Sequence, residues 1–295
     1  MQFESKSYQW IASIIMMTLS ITCIIPFVLL IMSSVASEES IIQYGYSFFP
    51  AEFSLKAYEY LWNHALELGR AYGITVFITV FGTAVSLTIT SMLAYPMSRS
   101  DMPLKNLWAF LVFFTLLFNG GFVSSYLIYT QIFHIKNTIW ALLFPGLLMN
   151  GFNVLLMRTF FRTSIPSALI EAASIDGASE IKIFYRIVLP LSLPIMATIG
   201  LFQAITYWND WFNGLAYITD PKYFSIQMIL NKMMEDIQFL TSNSNISGRA
   251  THEIGQIPST SVRMAIAVIG VLPILIAYPF FQKYFIKGIT IGSVK

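Results

Sequence analysis

The sequence is poor in charge and contains a single cysteine. Charged residues make up 11% of its 295 positions, whereas 56% are hydrophobic; a soluble domain carries about 25% charged residues. Too few polar groups are present to cover a water-facing surface, so most of the chain is expected to face lipid or apolar protein. Cys23, in an apolar run, is the only cysteine, and a single cysteine excludes an intramolecular disulfide and a cysteine-built metal site. These shortages indicate a membrane protein.

Net charge and cofactor motifs are lacking as well. A net charge of +2 is too small and too scattered to indicate nucleic-acid binding. No Gly-x-x-x-x-Gly-Lys-Ser/Thr loop is present, so we expect no cofactor on this chain, neither ATP nor its Mg²⁺. His64, His134 and His252 are far apart and have no carboxylate at ligand spacing, so no metal site is expected. No nucleophile–base arrangement is evident, and we therefore expect the chain alone not to be an enzyme.

Long apolar runs are what the sequence has instead. About 20 apolar residues are needed for a helix to cross the hydrocarbon core of a bilayer. Breaks such as Asn119-Gly120-Gly121 and Pro145 are tolerated where a helix packs on protein or lines a cavity. The pattern predicts an all-α, polytopic membrane protein. Its six expected transmembrane helices cover Trp10–Met32, Ala71–Tyr95, Leu107–Ile128, Thr138–Phe160, Leu191–Asn213 and Val262–Phe285.

The distribution of basic residues predicts the orientation of these six segments in the cell membrane. With the N-terminus inside, ten of the 17 Lys and Arg residues fall in internal segments, which favours two cytoplasmic termini. Long external segments then run over Ser34–Arg70 and Gly214–Ser261. The second holds a polar stretch, Thr241–Gly248, which contacts an external partner or is a plain connector. Two domains are expected: 1–70, with the first helix and first external loop, and 71–295, with the other five helices.

The loop 164–190, within the second domain, is unusually amphipathic for a link between two membrane helices. Pro166, between Ser164 and Ser167, predicts a helix start, and Gly177 predicts a break. Residues at three- and four-residue spacing share one helical face: Ala168, Ala172, Ile175 and Ser179. Periodicity alone predicts a short helix that docks into a groove of a soluble partner.

Fixed spacing adds a family resemblance. Glu171-Ala172-Ala173, three residues, Gly177, nine residues and Ile187-x-Leu189-Pro190 match every defining position of the motif E-A-A-x3-G-x9-I-x-L-P. This motif is the EAA loop of ABC-importer permeases, and the chain resembles them over these twenty positions. The resemblance implies the type I ABC importer permease fold, in which this loop forms a coupling helix seated in a cleft of the nucleotide-binding subunit.

The same resemblance implies roles for individual residues. Glu171 would make polar contacts with the ATPase, whereas Ala172 and Ala173 would allow its close approach. Gly177 would form the turn. The residues on either side of that turn complete the implied coupling site: Asp176 and Ala178.

Four further strings resemble carbohydrate-importer permeases: Phe118–Gly121, Arg158–Phe161, Trp208–Trp211 and Phe285–Lys295. They are similar to the second, maltose-type permease subunit, in the branch associated with oligosaccharide and polysaccharide uptake. The implied partners are a homologous second permease subunit, two ATP-binding subunits that hold ATP and Mg²⁺, an extracytoplasmic sugar-binding protein and membrane lipid. By position, the segment 214–261 would reach the binding protein, and the C-terminal tail would approach the ATPase.

An aromatic and polar string ends the fifth predicted helix: Tyr207, Trp208, Asn209, Asp210 and Trp211. An ionisable residue at membrane depth is costly and indicates a functional site by default. Aromatic faces stack on sugar rings, and Asn and Asp bind hydroxyl groups. The string therefore lines a sugar path, or it anchors the helix in an aromatic belt or a subunit interface. Asn119 and Asn153 likewise belong to such a path or form interhelical hydrogen bonds.

Three rival functions are distinguishable. The same importer architecture would serve a non-sugar solute if its binding protein selects one. A secondary transporter would show repeat symmetry and midplane ion sites, and here only Asp210 offers an intramembrane charge. A channel or receptor would have no evident use for the coupling loop. The sequence thus predicts the pore subunit of an ATP-driven, binding-protein-dependent importer that couples ATPase closure to alternating access.

Overall fold

The computed structural model describes residues 6–242 and 259–293, and helices dominate both ranges. They contain no strand, only an antiparallel bridge between Ala36 and Phe53. The predicted all-α class is confirmed. The α-helices are α1 Lys6–Ser34, α2 Glu38–Tyr44, α3 Lys56–Asn63, α4 Ala65–Ser98, α5 Lys105–Leu117, α6 Gly121–Leu127, α7 Trp140–Leu143, α8 Gly151–Ser164, α9 Ser167–Ile175, α10 Glu180–Ile183, α11 Leu189–Leu191, α12 Leu193–Trp208, α13 Phe212–Tyr217, α14 Ile226–Ser242 and α15 Ser259–Ser293. Two π-helical turns and one 3-10 turn complete them: Ile128–Ile132, Phe184–Val188 and Pro221–Tyr223.

Among the described residues, two helices are each long and apolar enough to cross a bilayer unaided. They are α1, over Gln9–Ser34, and α4, whose 34 residues include the predicted segment Ala71–Tyr95. The most apolar 18 residues of α1 include no buried residue. Side chains such as Trp10, which is 70% exposed, must therefore face lipid or another subunit, because a large apolar surface is rarely left in contact with water.

Two further candidate spans are bent pairs of helices. The pair α5 and α6 meets at 109°, and the pair formed by Glu180–Leu191 and α12 meets at 79°. At the first bend Gly121 has a φ of +81° and its N–H donates to Asn119 Oδ1 at 2.9 Å. The second bend lies at Ser192, between two prolines that lack the N–H a helix needs.

The six predicted spans are confirmed only in part. The described residues contain two unbroken candidates, or four if each bent pair is one span, and six transmembrane helices are not confirmed. The fourth predicted segment, Thr138–Phe160, is split between α7 and α8 because Gly146 has a φ of +70°. In α15 the described residues include an apolar stretch over Thr260–Ile276.

The predicted external loop Gly214–Ser261 is more helical than its polar composition suggests. It contains α14, in which Ile226 and Met228 are almost fully buried. Apolar packing of this kind stabilises a helix that local propensity alone leaves marginal. The positions 243–248 of the polar stretch, and His252, lie outside the described residues.

Contacts divide the chain into two compact units. The first comprises Met1–Leu68 with Leu230–Pro273, and the second comprises Gly69–Ile229 with Ile274–Lys295. In the first unit Glu38, at the start of α2, caps the start of α15. Its carboxylate accepts from the N–H of Thr260 at 2.9 Å and from both the N–H and the hydroxyl of Ser261 at 2.9 and 3.0 Å. Burial raises the pKa of Glu38, but these hydrogen bonds outweigh it and hold the pKa below its ordinary value.

We expect Glu38→Gln to destabilise the first unit by about 1 kcal/mol, the usual value of a helix N-cap. The lowered pKa means that the carboxylate stabilises the fold above its ordinary value of 4.5. This stabilisation is lost as pH falls through the lower, folded-state pKa. Thermal unfolding in detergent between pH 7 and pH 3.5 should show the difference shrinking with acidification. Glu39→Gln, at the exposed neighbour, is the control, and an equal effect of both changes would contradict the capping role.

The second unit holds two hydrophobic cores. The first core joins the end of α4 to α8 and to the segment that follows α9, and its fully buried members include Met97, Met157, Ile183 and Ile199. The second core joins the middle of α4 to α7, α12 and α13. In the second core Tyr207 is fully buried and lies against Gly82 of α4, which has no side chain to obstruct the ring.

Candidate coupling site

The start of α9 follows from the residues around Pro166. Proline fixes φ near −65° and cannot donate a helical hydrogen bond, so it favours the position just before a helix or in its first turn. Pro166 has φ −62° and ψ 127°, and α9 begins at Ser167. Its carbonyl accepts from the N–H of Leu169 at 3.2 Å, which closes the first turn.

The end of α9 is a Schellman turn centred on Gly177. The N–H of Gly177 donates to Ser174 O at 3.0 Å, and the N–H of Ala178 donates to Ala173 O at 3.0 Å. This pair of bonds requires a left-handed residue after the helix, and Gly177 has φ +75°. Asp176 is the C-cap residue. The helix therefore ends at Ile175, and the predicted face is wrong at Ser179, which lies beyond the turn and precedes α10.

The two faces of α9 differ in what they contact. Ile170 and Ala173, with Ala178 beyond the turn, pack against the first core. The opposite face exposes Leu169, Ala172 and Ile175, and Ile175 is 86% exposed. An apolar strip that folding leaves uncovered in a chain is suited to a protein partner. Glu171 is exposed beside this strip.

A cavity of about 540 Å³ lies beside the first turns of α9. Its wall includes four basic residues and the carboxylate of Glu171: Arg99, Lys105, Arg158 and Arg162. Arg158 is held in place by a 3.0 Å bond from its Nε to Met97 O. The base of the candidate coupling helix is therefore positively charged, and Glu171 carries the opposite sign at its edge.

A second cluster, centred on Glu180, connects α10 to the end of α4. Tyr95 donates its hydroxyl to Glu180 Oε2 at 2.6 Å, and Arg99 Nη2 lies 3.3 Å from Glu180 Oε1 and 3.0 Å from Asp101 Oδ2. Burial lowers the pKa of Arg99, but its carboxylate partners outweigh burial and raise it. The bond from Arg99 lowers the pKa of Asp101. The sequence motif did not reveal Glu180, because it lies among the nine unspecified positions and its partners are more than 80 residues away.

The aromatic part of the predicted sugar path is divided between buried and exposed positions. Tyr207 donates its hydroxyl to Leu143 O at 3.0 Å, and Trp208 is buried with its ring 6.4 Å from that of Tyr72. Both rings therefore contact the chain itself. Trp211, in contrast, is 42% exposed.

The polar side chains of the string form hydrogen bonds with backbone groups. Asn209 is exposed and donates to Ile205 O at 3.0 Å. Asp210 Oδ1 accepts from the N–H of Asn213 at 3.2 Å and so caps α13. Its second oxygen, Oδ2, is buried and has no hydrogen-bond partner in the part of the chain that the structure describes. A carboxylate oxygen in that position is an acceptor for a hydroxyl or an amide.

The two remaining predicted path residues have different surroundings. Asn119 is exposed and caps α6 through its bond from Gly121, whereas Asn153 is buried in α8. Phe122 of α6 and Phe212 of α13 stand with ring centroids 5.1 Å apart, so the helix starts capped by Asn119 and Asp210 are neighbours. Residues 6–242 and 259–293 contain no group of three His, Cys, Asp or Glu side chains that could hold a metal ion.

Comparison with known proteins gives consistent matches over nearly the whole chain. The family model described as "binding-protein-dependent transport system inner membrane component" matches residues 4–291. The protein LplC of Bacillus subtilis is 40% identical, covering 92% of this chain and 89% of its own length. The polygalacturonan/rhamnogalacturonan transport system permease protein YtcP of the same organism is 37% identical, covering 94% of each chain.

A solved structure is similar over a comparable length. It is the crystal structure of a bacterial ABC transporter involved in the import of the acidic polysaccharide alginate. One of its chains has 27% sequence identity and a TM-score of 0.79, and the match covers 97% of this chain and all of that one.

Proposed function

The chain belongs to the family of binding-protein-dependent transport system inner membrane components, and from this premise we propose that it is the permease subunit of an ATP-driven importer of oligo- or polysaccharides. The geometry of α9 carries the proposal. This helix begins at a proline, ends at a left-handed glycine and exposes an apolar strip with Glu171 at its edge. Such a helix is built to dock in a groove of another protein.

We further propose that the chain crosses the cell membrane six times with both termini in the cytoplasm. The two unbroken helices and the two bent pairs would supply four crossings. The α7–α8 region and α15 would supply the other two. Irregular backbone at Gly121 and Gly146 is tolerated at membrane depth where it is buried in protein or lines a cavity, which fits the pore of a transporter.

The working complex would contain a homologous second permease, two ATP-binding subunits and an extracytoplasmic sugar-binding protein. ATP and Mg²⁺ would reside on the ATP-binding subunits, so hydrolysis would take place outside this chain. Closure of the ATPase would move α9, and this movement would shift the equilibrium between inward-open and outward-open states. Such a shift requires that the ATPase bind the two states with different free energy.

The substrate class follows from the relatives. YtcP is named for polygalacturonan and rhamnogalacturonan transport, and the similar solved structure imports alginate. For this chain we propose an oligo- or polysaccharide that contacts the surface beside Asp210. Trp211 and Asn209 are exposed next to it, and aromatic faces and amides are suited to sugar rings. Tyr207 and Trp208 would support this surface from the second core rather than touch the sugar.

Glu171→Lys tests the coupling role. We expect uptake in proteoliposomes that contain the complete transporter to fall about tenfold or more, because charges of the same sign placed together at an interface cost several kcal/mol. Membrane insertion should be unchanged, since Glu171 is exposed. ATPase activity stimulated by the loaded binding protein should fall in parallel.

Glu39→Lys is the matched control, because it makes the same charge change at an exposed position of α2. Uptake by the Glu171→Lys variant at the level of the control would refute the coupling assignment. Uptake by the unmodified chain without any ATP-binding subunit would instead indicate a secondary transporter. A binding protein that selects a non-sugar solute would keep the architecture and change the substrate class.

A further inference from the structure

We propose that Glu180 is a positioning residue that transmits movement of the coupling helix α9 to the long helix α4. The inference rests on the proposed function, because it assigns a path for the movement that ATP-binding subunits would impose on α9. It concerns residues that the EAA motif does not specify. Three features support it: the connection between α9 and α10, the two contacts of the Glu180 carboxylate and the exposure of the groups involved.

The connection between α9 and α10 is short and held by backbone bonds. The Schellman turn at Gly177 closes α9, and the N–H of Ile183 then donates to Ser179 O at 3.0 Å, which closes the first turn of α10. Glu180 is the first residue of α10. Ala178, within this connection, packs against the first core, and Ile183 of α10 is a buried member of it. A displacement of α9 therefore moves the carboxylate of Glu180 with it.

The carboxylate of Glu180 is bound by two donors, one in the last turn of α4 and one in the residue that follows this helix. Each of its oxygens has its own donor, Tyr95 at 2.6 Å and Arg99 at 3.3 Å. A carboxylate held at both oxygens is fixed in orientation as well as in distance. Asp101, 3.0 Å from the same Nη2 of Arg99, orients the guanidinium in turn. The contact thus links the coupling segment to α4 with a defined geometry.

The surroundings of the Glu180 cluster argue for positioning rather than for stability. The side chains of Glu180 and Asp101 are 57% and 66% exposed, and exposed ion pairs contribute little to folding because water and salt screen them. Tyr95 differs, since it is 8% exposed and its ring lies 5.1 Å from that of Phe184. The hydroxyl of the buried Tyr95 therefore makes the shortest hydrogen bond in a cluster whose carboxylates are otherwise exposed to solvent.

The experiment uses the complete transporter in proteoliposomes and compares Glu180→Ala, Tyr95→Phe and the unmodified chain. The quantity measured is sugar transported per ATP hydrolysed. We expect both variants to insert normally and to retain basal ATPase activity, with the transport ratio lowered roughly fivefold or more, a size typical of coupling between sites. Tyr95→Phe removes only a hydroxyl, so it tests the inference even if Glu180→Ala fails to fold.

Two further variants separate positioning from a merely structural role. The charge exchange Glu180→Arg with Arg99→Glu should restore part of the transport ratio that either single change loses. Lys182→Gln, at an exposed position of the same short helix α10, should leave the ratio unchanged. A structural role would lower the amount of folded protein and leave the ratio per ATP intact.

The outcomes distinguish this inference from the proposed function. If the unmodified chain shows no ATP-dependent uptake, the proposed function fails. If the unmodified chain transports and Tyr95→Phe or Glu180→Ala keeps its ratio of sugar to ATP, the proposed function stands and the positioning role of Glu180 is overturned. Loss of the ratio in both variants, with rescue by the charge exchange, supports it.

Discussion

Replacement of Gly177 by valine is expected to abolish ATP-driven uptake while the protein still enters the membrane. Gly177 has φ +75°, a conformation that costs an L-residue about 1–2 kcal/mol and that a β-branched residue adopts least readily. A Cβ at this position meets no atom within 4 Å, so steric crowding is not the cause. The strain is in the backbone, and valine would unwind the turn that sets the direction of α9.

The control for this change is Gly177→Asn. Asparagine is several-fold enriched in the left-handed region among non-glycine residues, and it adds a side chain of similar size. We expect the asparagine variant to keep most of the uptake and the valine variant to lose about 90% or more. A cost of about 1.4 kcal/mol in the free energy of the docked, left-handed turn lowers its population tenfold. The two variants are compared by their uptake in proteoliposomes that contain equal amounts of inserted protein. Equal uptake by the two variants would mean that the left-handed turn is dispensable.

Replacement of Gly82 by valine is expected to have the largest effect on folding. A Cβ at this position would lie 2.6 and 2.7 Å from the two Cε atoms of the Tyr207 ring and closer still to its Cζ. The ring cannot move away cheaply, because Tyr207 is fully buried and its hydroxyl is bound to Leu143 O. Overpacking of a tight core costs about 1–3 kcal/mol, and the added γ-methyl groups would raise the cost to the upper end.

Gly73→Val provides the matched comparison for Gly82. Gly73 lies on the same helix, α4, and a Cβ there meets no atom within 4 Å. The change in helix propensity is therefore the same, and only the contact with Tyr207 differs. We expect the Gly82 variant to unfold at a lower temperature in detergent than the Gly73 variant and to yield less folded protein. Equal melting temperatures would show that the second core adapts to the added volume.

The features that the sequence predicts correctly depend on neighbouring residues. The limits of α9 are encoded by Pro166 and Gly177, whose backbone preferences act locally. The helices α1 and α4 follow from uninterrupted apolar runs. The family follows from fixed spacing between Glu171 and Pro190, which also marks α9 as the candidate coupling helix.

The features that the sequence does not predict depend on contacts between distant residues. Glu180 is bound by Tyr95 and Arg99, and nothing in the local pattern distinguishes Glu180 from other charged loop residues. Tyr207 was a candidate sugar ligand by type, but Gly82 makes room for its ring in the second core. Helical periodicity also extended the face of α9 to Ser179, because periodicity does not show where a left-handed turn ends a helix.

The helix α4 is joined at two separate points to the chain segment that returns from α9. Tyr207 contacts it at Gly82, and Glu180 contacts it at Tyr95. These points are about 20 Å apart along the helix axis at about 1.5 Å per residue. A helix attached at one point can rotate about that point. A second attachment at a distance allows a displacement there to tilt the whole helix. If α4 rotates about Gly82, a sideways displacement of Tyr95 by about 3 Å tilts the helix by roughly 10°, so a small movement of α9 would change the direction of α4.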